Sequence, residues 1–526
     1  MIRRSIIKFA QLRSGIAFWS GCVLVTIGVV LHLPMFLMSR DAGYVLAGMP
    51  MDAGMLFGMA LIVAGICATA YGLLPRVSPV GRSHTSAAIP PPEDAPLTRS
   101  HWWIAALLGL ALIIDIMKPA SLGFVTPGMR AEYGVSAAMV AWLPLGALAG
   151  TVIGSYLWGV LADLYGRRAS ILLSSVMFVG TSICGAMPDF WWNVFMCALM
   201  GMAAGGMLPV TYALLAEIMP TRHRGWFLVL IGGIGAIGGF FAASGFAALL
   251  QPEFGWRVMW FLNLPTGLIL IALSPLLPES ARFLQRMGRA AEARAMLAKF
   301  GATLRDTPVD NIRTAAGSRA PAVDRNYFGL TCALTSSALA WGLVNFGVLL
   351  WLPGALVEEG QSVAVASALI AQSTLIAAPT IVIATWLYHR WSTKGALLLM
   401  SGIMAVGLIG LLSRDSGLAL LTNPVPVVAL LIVGAAGVIS ILLPFTAESY
   451  PLHIRGQATG WVAGCSKFGG LLAQSLSAIG IAPPLAAAAL IVVAPTALSL
   501  LLIARFGRET AGSDLRDLEP ASSVTS

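Results

Sequence analysis

The chain has 526 residues, of which 58% are hydrophobic and 10% charged, and its formal net charge is +9. A mean hydropathy of +0.84 excludes a soluble globular domain. The positive balance is spread in short clusters between apolar runs, so it reports membrane orientation and not a nucleic-acid partner.

The basic start MIRRSIIKFAQLRSG precedes a first apolar run near 15–38. That run lacks an A-x-A cleavage site, so it is expected to remain as an uncleaved span. A second run lies near 54–75, and a Pro- and Ser-rich linker, 76–101, follows. Six more runs come near 102–126, 138–161, 169–187, 190–218, 226–250 and 257–277. The polar segment 278–327 holds nine Lys or Arg, and its AAEARAMLAKF section reads as an amphipathic helix at the membrane surface. The last six runs lie near 328–355, 363–388, 395–412, 424–447, 457–479 and 482–505, before a tail at 506–526.

Runs of this length cross a bilayer as helices, because lipid leaves every backbone group to be satisfied within the segment. The expected fold is an all-α polytopic membrane protein with fourteen spans. With the N-terminus inside, 26 of the 32 Lys and Arg fall in cytoplasmic segments. Arg40, Arg130, Arg257 and Arg414 fall outside, and Lys118 and Lys467 fall within spans. The positive-inside rule then puts both termini in the cytoplasm, with a bacterial inner membrane as the expected location.

Two stretches repeat. AEIMPTRHRG begins at Ala216 and AESYPLHIRG at Ala447, so Glu217 and Glu448 are 231 positions apart, as are Arg224 and Arg455. At the same offset GGFFA, from Gly238, matches GGLLA, from Gly469. Matched punctuation at one offset is an internal repeat. It divides the chain into two related six-helix halves, 102–277 and 328–505. The first two spans, within 1–75, have no counterpart and are expected to be dispensable for whatever the repeated halves do. Glycines at four-residue spacing (Gly146, Gly150 and Gly154; Gly201 and Gly205; Gly235 and Gly239; Gly456, Gly460 and Gly464) fit either tight packing or a sliding face.

GVLADLYGRR at 159–168, the doubled Glu-x-x-Pro-x-x-x-Arg-Gly and PESARFL from Pro278 together resemble the major facilitator superfamily. The nearest likeness is to its sugar-porter and metabolite:proton symporter branch, and it covers about 102–505. It implies two pseudo-symmetric six-helix bundles, a central site at midplane and alternating access by rocking. It also implies a cytoplasmic gate made by Gly159, Asp163, Gly166, Arg167, Arg168, Glu217, Arg224, Glu279, Arg282, Glu448 and Arg455, whose ion pairs latch when the carrier faces outward. The alternative is that these charges only stop helices and fix topology. In the second half WLYHRWSTK carries His389 where Asp is expected, so the latch is asymmetric. The paired glutamines of hexose porters are missing near Trp341 and Asn345, and Ala236 replaces the antiporter proline. WLPGALVEEGQS from Trp351 resembles organic-acid and nicotinate symporters.

Charges inside lipid cost at least about 2.5–3.5 kcal/mol each, so each needs a reason. In DIMKPASLGFVTP, Asp115 and Lys118 are three apart and share a helix face. They fall on the two carboxylates of the Asp-Gly-Phe-Asp motif of aromatic-acid symporters, with Lys118 replacing the second. Lys467 stands about ten residues into its span, or about 15 Å deep. Asp115 is the expected proton carrier, and Lys118 and Lys467 the groups that hold a substrate anion. The alternative is a pair that only neutralises itself. Trp142, Tyr212, Trp341, Asn345, Gln372 and Gln474 are candidate cavity liners.

The expected function is proton-coupled symport of a small organic anion or metabolite. The alternatives are a proton-driven exporter or a neutral sugar or polyol carrier and, from other classes, a membrane enzyme or sensor. No catalytic set, no metal spacing among the six histidines and no CxxC pair among the six cysteines is present, so no cofactor, metal or disulfide is expected. The expected partners are the substrate, protons and the bilayer, with the chain working as a monomer.

Overall fold

The computed structural model of the protein describes residues 2–74, 96–301, 325–412, 424–481 and 483–511. Most of the 76–101 linker, the second part of the 278–327 segment, Arg414 and most of the tail lie outside the described residues. Among those described, thirteen helices are long and apolar enough to span a membrane. The accessory pair is α1 (Ser14–Ala42) and α2 (Ala53–Leu73). The first half is α3 (Arg99–Tyr133), α4 (Ala137–Tyr165), α5 (Arg167–Ala186), α6 (Phe190–Ile218), α7 (Arg222–Phe254) and α8 (Val258–Leu276). The second half is α9 (Tyr327–Glu358), α10 (Val363–Arg390), α11 (Thr393–Leu412), α12 (Pro424–Ser449), α13 (Leu452–Ala478) and α14 (Leu485–Phe506).

Helix α13 is the one not apolar enough to count among the thirteen. Its 27 residues reach about 40 Å at 1.5 Å per residue, but they include Arg455, Lys467, two Gln and three Ser. Its polarity has a use, because much of one face looks into a cavity and not into lipid.

Local chemistry sets the helix ends. Asp52 accepts from the Met55 N–H at 2.7 Å, Ser362 from Val365 N–H at 3.2 Å, and Asp189 from Trp191 N–H at 2.9 Å. Glycine then decides close approach. Gly150 and Gly154 of α4 seat the backbone of α6, and Gly201 and Gly205 return the contact, so these glycines are packing devices. The stripe on α13 differs: a Cβ at Gly456, Gly460 or Gly464 would meet nothing within 4 Å.

The halves meet along α7 with α10 and α12, α4 with α13, and α3 with α9. The accessory helices pack on each other through Gly21, Gly28, Gly58 and Gly65 and dock on α5, where Ile62 meets Gly180. The link between them is fastened to the first half, since Glu132 accepts from Leu46 N–H at 2.8 Å and Ala47 N–H at 3.0 Å. The amphipathic helix expected after α8 is present at Ala290–Lys299. Its buried face, Ala293 and Leu297, is covered by Ala281 and Leu284 of the short helix before it, so protein and not lipid is its apolar partner.

Candidate functional site

A cavity of about 1780 Å³ lies between the halves. Its inner walls are Asp115 and Pro119 of α3, Tyr212 of α6, Phe240 of α7, Trp341, Asn345 and Phe346 of α9, Ala436 of α12 and Lys467 of α13. Its mouth is ringed by Asp163, Glu217, Arg222, Arg224, Arg282, His389, Glu448 and Arg455, so it opens at the end that carries the repeated loops. At the far end it is closed, where Gly123 of α3 rests on the Leu350 carbonyl of α9 and Arg130 Nη1 pairs with Glu358 Oε1 at 2.5 Å.

Asp115 and Lys467 face the cavity from opposite halves and interact electrostatically. Among the described residues neither belongs to an ion pair within 4.0 Å. The chain therefore leaves a gap between the two charges. Lys467 Nζ lies 4.8 Å from the Phe346 ring centre and 6.0 Å from that of Trp341. The two rings stand edge to face, 5.6 Å apart, and Trp341 Nε1 is fixed by donation to the Ala435 carbonyl at 2.8 Å. An ammonium over aromatic faces is stabilised by the ring quadrupole while its hydrogens stay available. Pro119 has no N–H, so the Asp115 carbonyl loses its helical donor beside the cavity, where water or ligand can serve it.

The wall opposite Asp115 depends on a π-helical turn, Val344–Val348, in α9. Such turns carry one extra residue and recur at functional sites. Here the turn puts both Asn345 and Phe346 on the cavity, and Gln474 donates from α13 to the Phe346 carbonyl.

Four expected site residues are corrected. Lys118 is 1% exposed and does not line the cavity: it still interacts electrostatically with Asp115, but its ammonium is buried beside the Phe178 ring of α5. Gln474 is buried behind the π turn, which it braces. Gln372 is exposed and away from the cavity, and Trp142, 42% exposed, meets Trp191 edge to face. Asp115, Lys467, Tyr212, Trp341 and Asn345 do converge. Phe346 and Phe240, which sequence reading missed, join them.

At the mouth the charges of the first half pair with one another. Gly166 takes φ 104° at the sharp α4–α5 turn, and the Glu279 carboxylate lies where a Cβ would stand. That carboxylate accepts from the N–H groups of Arg167 at 2.9 Å and Arg168 at 3.5 Å, capping α5. Burial pushes Glu279 above the usual carboxylate range, against the pull of these N–H donors. Arg167 pairs with Asp163 at 3.0 Å and Glu217 at 3.2 Å, and Ser280 Oγ donates to Glu217.

The second half repeats the arrangement with residues that sequence reading did not single out. Glu509 accepts from Thr393 N–H at 2.9 Å and from Ser392 Oγ, capping α11. Burial would raise the Glu509 carboxyl, but these bonds and the Ala511 N–H outweigh it and hold it down at about 2. Thr510 Oγ1 donates to Glu448 at 3.1 Å, as does Tyr388 Oη at 2.5 Å. Glu279–Ser280–Ala281 and Glu509–Thr510–Ala511 are thus the same device, and the shared Glu-Ser/Thr-Ala was the available signal. Arg224 and Arg455 also match, each reaching a carbonyl five residues back, at Met219 (3.5 Å) and Tyr450 (3.3 Å). His389 meets Trp226 across the halves at a tilt, 5.8 Å between ring centres.

The family model described as Major Facilitator Superfamily matches residues 108–474. Among curated relatives, the niacin transporter NiaP of Acinetobacter baylyi is 24% identical over 388 residues, covering 72% of this chain and 87% of the relative. The gallate transporter of Pseudomonas putida is 28% identical over 432 residues, covering 75% and 89%. The 4-hydroxybenzoate transporter PcaK of A. baylyi is 28% identical over 414 residues, covering 74% and 86%. Among solved structures, the xylose transporter XylE from E. coli in a partially occluded inward-open conformation aligns with a TM-score of 0.64. At 18% identity, covering 79% of this chain and all of that one, it attests the fold.

Proposed function

The chain belongs to the Major Facilitator Superfamily and is a multi-pass membrane transporter, and from that premise we propose that it carries a small organic anion, an aromatic carboxylate above all, together with a proton. The observation that carries this reading is Lys467, set in an aromatic corner and facing Asp115 across a gap. An ammonium in a largely apolar cavity calls for an anion. A carboxylate meets Lys467 while its ring packs edge to face with Trp341 and Phe346, an arrangement favoured by the ring quadrupoles. The niacin, gallate and 4-hydroxybenzoate relatives support the same class.

Asp115 carries the proton in this scheme. With the cavity empty, its carboxylate is stabilised by Lys118 on its own helix and by the Lys467 charge from the other half. An arriving substrate carboxylate takes that counter-charge, and Asp115 then takes a proton, so substrate and proton enter together. Neutral cargo leaves no net unpaired charge in the cavity and lets the halves rock. The mouth arginines and carboxylates then re-pair across the halves as the latch of the closed mouth. The charge distribution supports placing that mouth, with both termini, on the cytoplasmic side.

The test is uptake by proteoliposomes of labelled 4-hydroxybenzoate, nicotinate and xylose under an imposed pH gradient. Accumulation of an acid and not of xylose is the expected result. Accumulation of xylose alone would sink the anion reading.

A further inference from the structure

Tyr212 lines the cavity, and its hydroxyl reaches across to α7. The hydroxyl lies on Gly232 of α7, where a built Cβ would overlap the phenol oxygen. The same Cβ position is 3.5 Å from the Ser440 Cα of α12, in the opposite half. The phenol thus sits in a slot floored by Gly232 at the seam where the halves meet.

We propose that Gly232 sets the width of the cavity, by providing the socket that keeps Tyr212 withdrawn from it, and so determines how large a ring the carrier accepts. The α7 backbone has no room to yield at this point. Gly235 and Gly239, one and two turns on, are already pressed on Leu112 and Ile116 of α3. Close-packed interiors resist added atoms, so the strain of a methyl at 232 passes to the softest neighbour. That neighbour is Tyr212, which has open space on its cavity side. A filled socket therefore pushes the ring toward the space between Asp115 and Lys467 without altering either charge.

The consequence for substrate choice rests on the anion reading, but the width itself is measurable without it. A cysteine at Ala436, a cavity residue one turn before Ser440, in a chain otherwise free of cysteine, reports access through its reaction with small and bulky methanethiosulfonates. Gly232→Ala should slow the bulky reagent relative to the small one by about tenfold, the scale on which a pocket reads one methylene. Adding Tyr212→Phe should restore the rate, because it removes the clashing oxygen and leaves Cζ 3.3 Å from the new methyl. Equal rates in parent and Gly232→Ala, or no rescue by the second change, would overturn the proposal. Should Gly232→Ala not insert, Tyr212→Leu with Gly232 intact must speed the bulky reagent, and an unchanged rate is equally fatal. In uptake, Gly232→Ala should lose gallate before nicotinate. If the thiol rates shift while neither acid is carried, the transport reading fails and the socket stands.

Discussion

Arg130 Nη1 stands 2.5 Å from Glu358 Oε1 and ties the far end of α3 to the far end of α9, one helix from each half. The helix that carries Asp115 is held at its far end while the other end of the cavity is open. Both side chains are partly exposed, at 43% and 65%, so the pair is worth at most about 1 kcal/mol, or about a fivefold shift between states. Glu358→Gln should raise the far-end-open population, seen as longer distances between spin labels on the loops after Tyr133 and Glu358. Exchanging the charges, Arg130→Glu with Glu358→Arg, should restore the parent distribution. Identical distributions in all three would remove the pair from the gate.

Two residues along, Glu132 serves the architecture. It accepts from Arg257 Nη2 at 2.6 Å and Trp256 Nε1 at 2.7 Å as well as from the accessory link, and the pair is only 1% and 6% exposed. Glu132→Ala leaves a buried guanidinium unpaired, which costs about 3–5 kcal/mol, and should lower the melting temperature markedly. Deleting residues 1–98 removes two of its donors but keeps the ion pair, so the truncated chain should insert and transport. A correctly inserted but inactive truncation would show that the accessory pair takes part in the cycle.

The tail is expected to act on the gate and not on the cavity floor. Glu509→Gln should free the α11 N-terminus and change turnover while leaving substrate affinity unaltered. The Glu509 carboxyl is depressed in the folded state, so its contribution is fully present above the ordinary carboxylate value. It is lost only as pH falls from 4.5 toward about 2. Hydrogen exchange at the Thr393 amide across that window checks this. Loss of protection already above it would contradict the assignment.

Lys118→Met should leave affinity for the substrate unchanged, since that ammonium faces Phe178 and not the cavity. A large loss of binding measured by thermal shift, with insertion intact, would return Lys118 to the site.

The helices were legible because lipid demands long apolar runs, and the repeat marked the two halves and the matched Glu217/Glu448 and Arg224/Arg455 that ring the cavity mouth. The run at 457–479 was read as a span although α13 is polar on the face that looks into the cavity. Asp115 and Lys467 stood out as charges in apolar runs. Lys118 stood out equally, but spacing of three fixes a helix face and not a rotamer, and its long stem turns into α5. Phe346 was hidden by the π turn, which adds a residue and brings a neighbour of Asn345 onto the same wall. Gln474 was read as a liner because a polar residue in a span invites a ligand, yet its amide is used up on the Phe346 carbonyl. The Glu509–Thr510 cap lay beyond the last span, where its three-residue likeness to Glu279–Ser280–Ala281 was too short to stand out until both were seen capping a helix.

The central claim is that Asp115 couples the proton and Lys467 holds the anion. The most direct measurement is uptake of labelled 4-hydroxybenzoate into proteoliposomes holding the parent, Asp115→Asn or Lys467→Ala, with and without an imposed pH gradient. Asp115→Asn should lose accumulation driven by the gradient while retaining exchange of internal for external substrate, and Lys467→Ala should lose both through weakened binding. Accumulation by Asp115→Asn that still follows the proton gradient would contradict the claim.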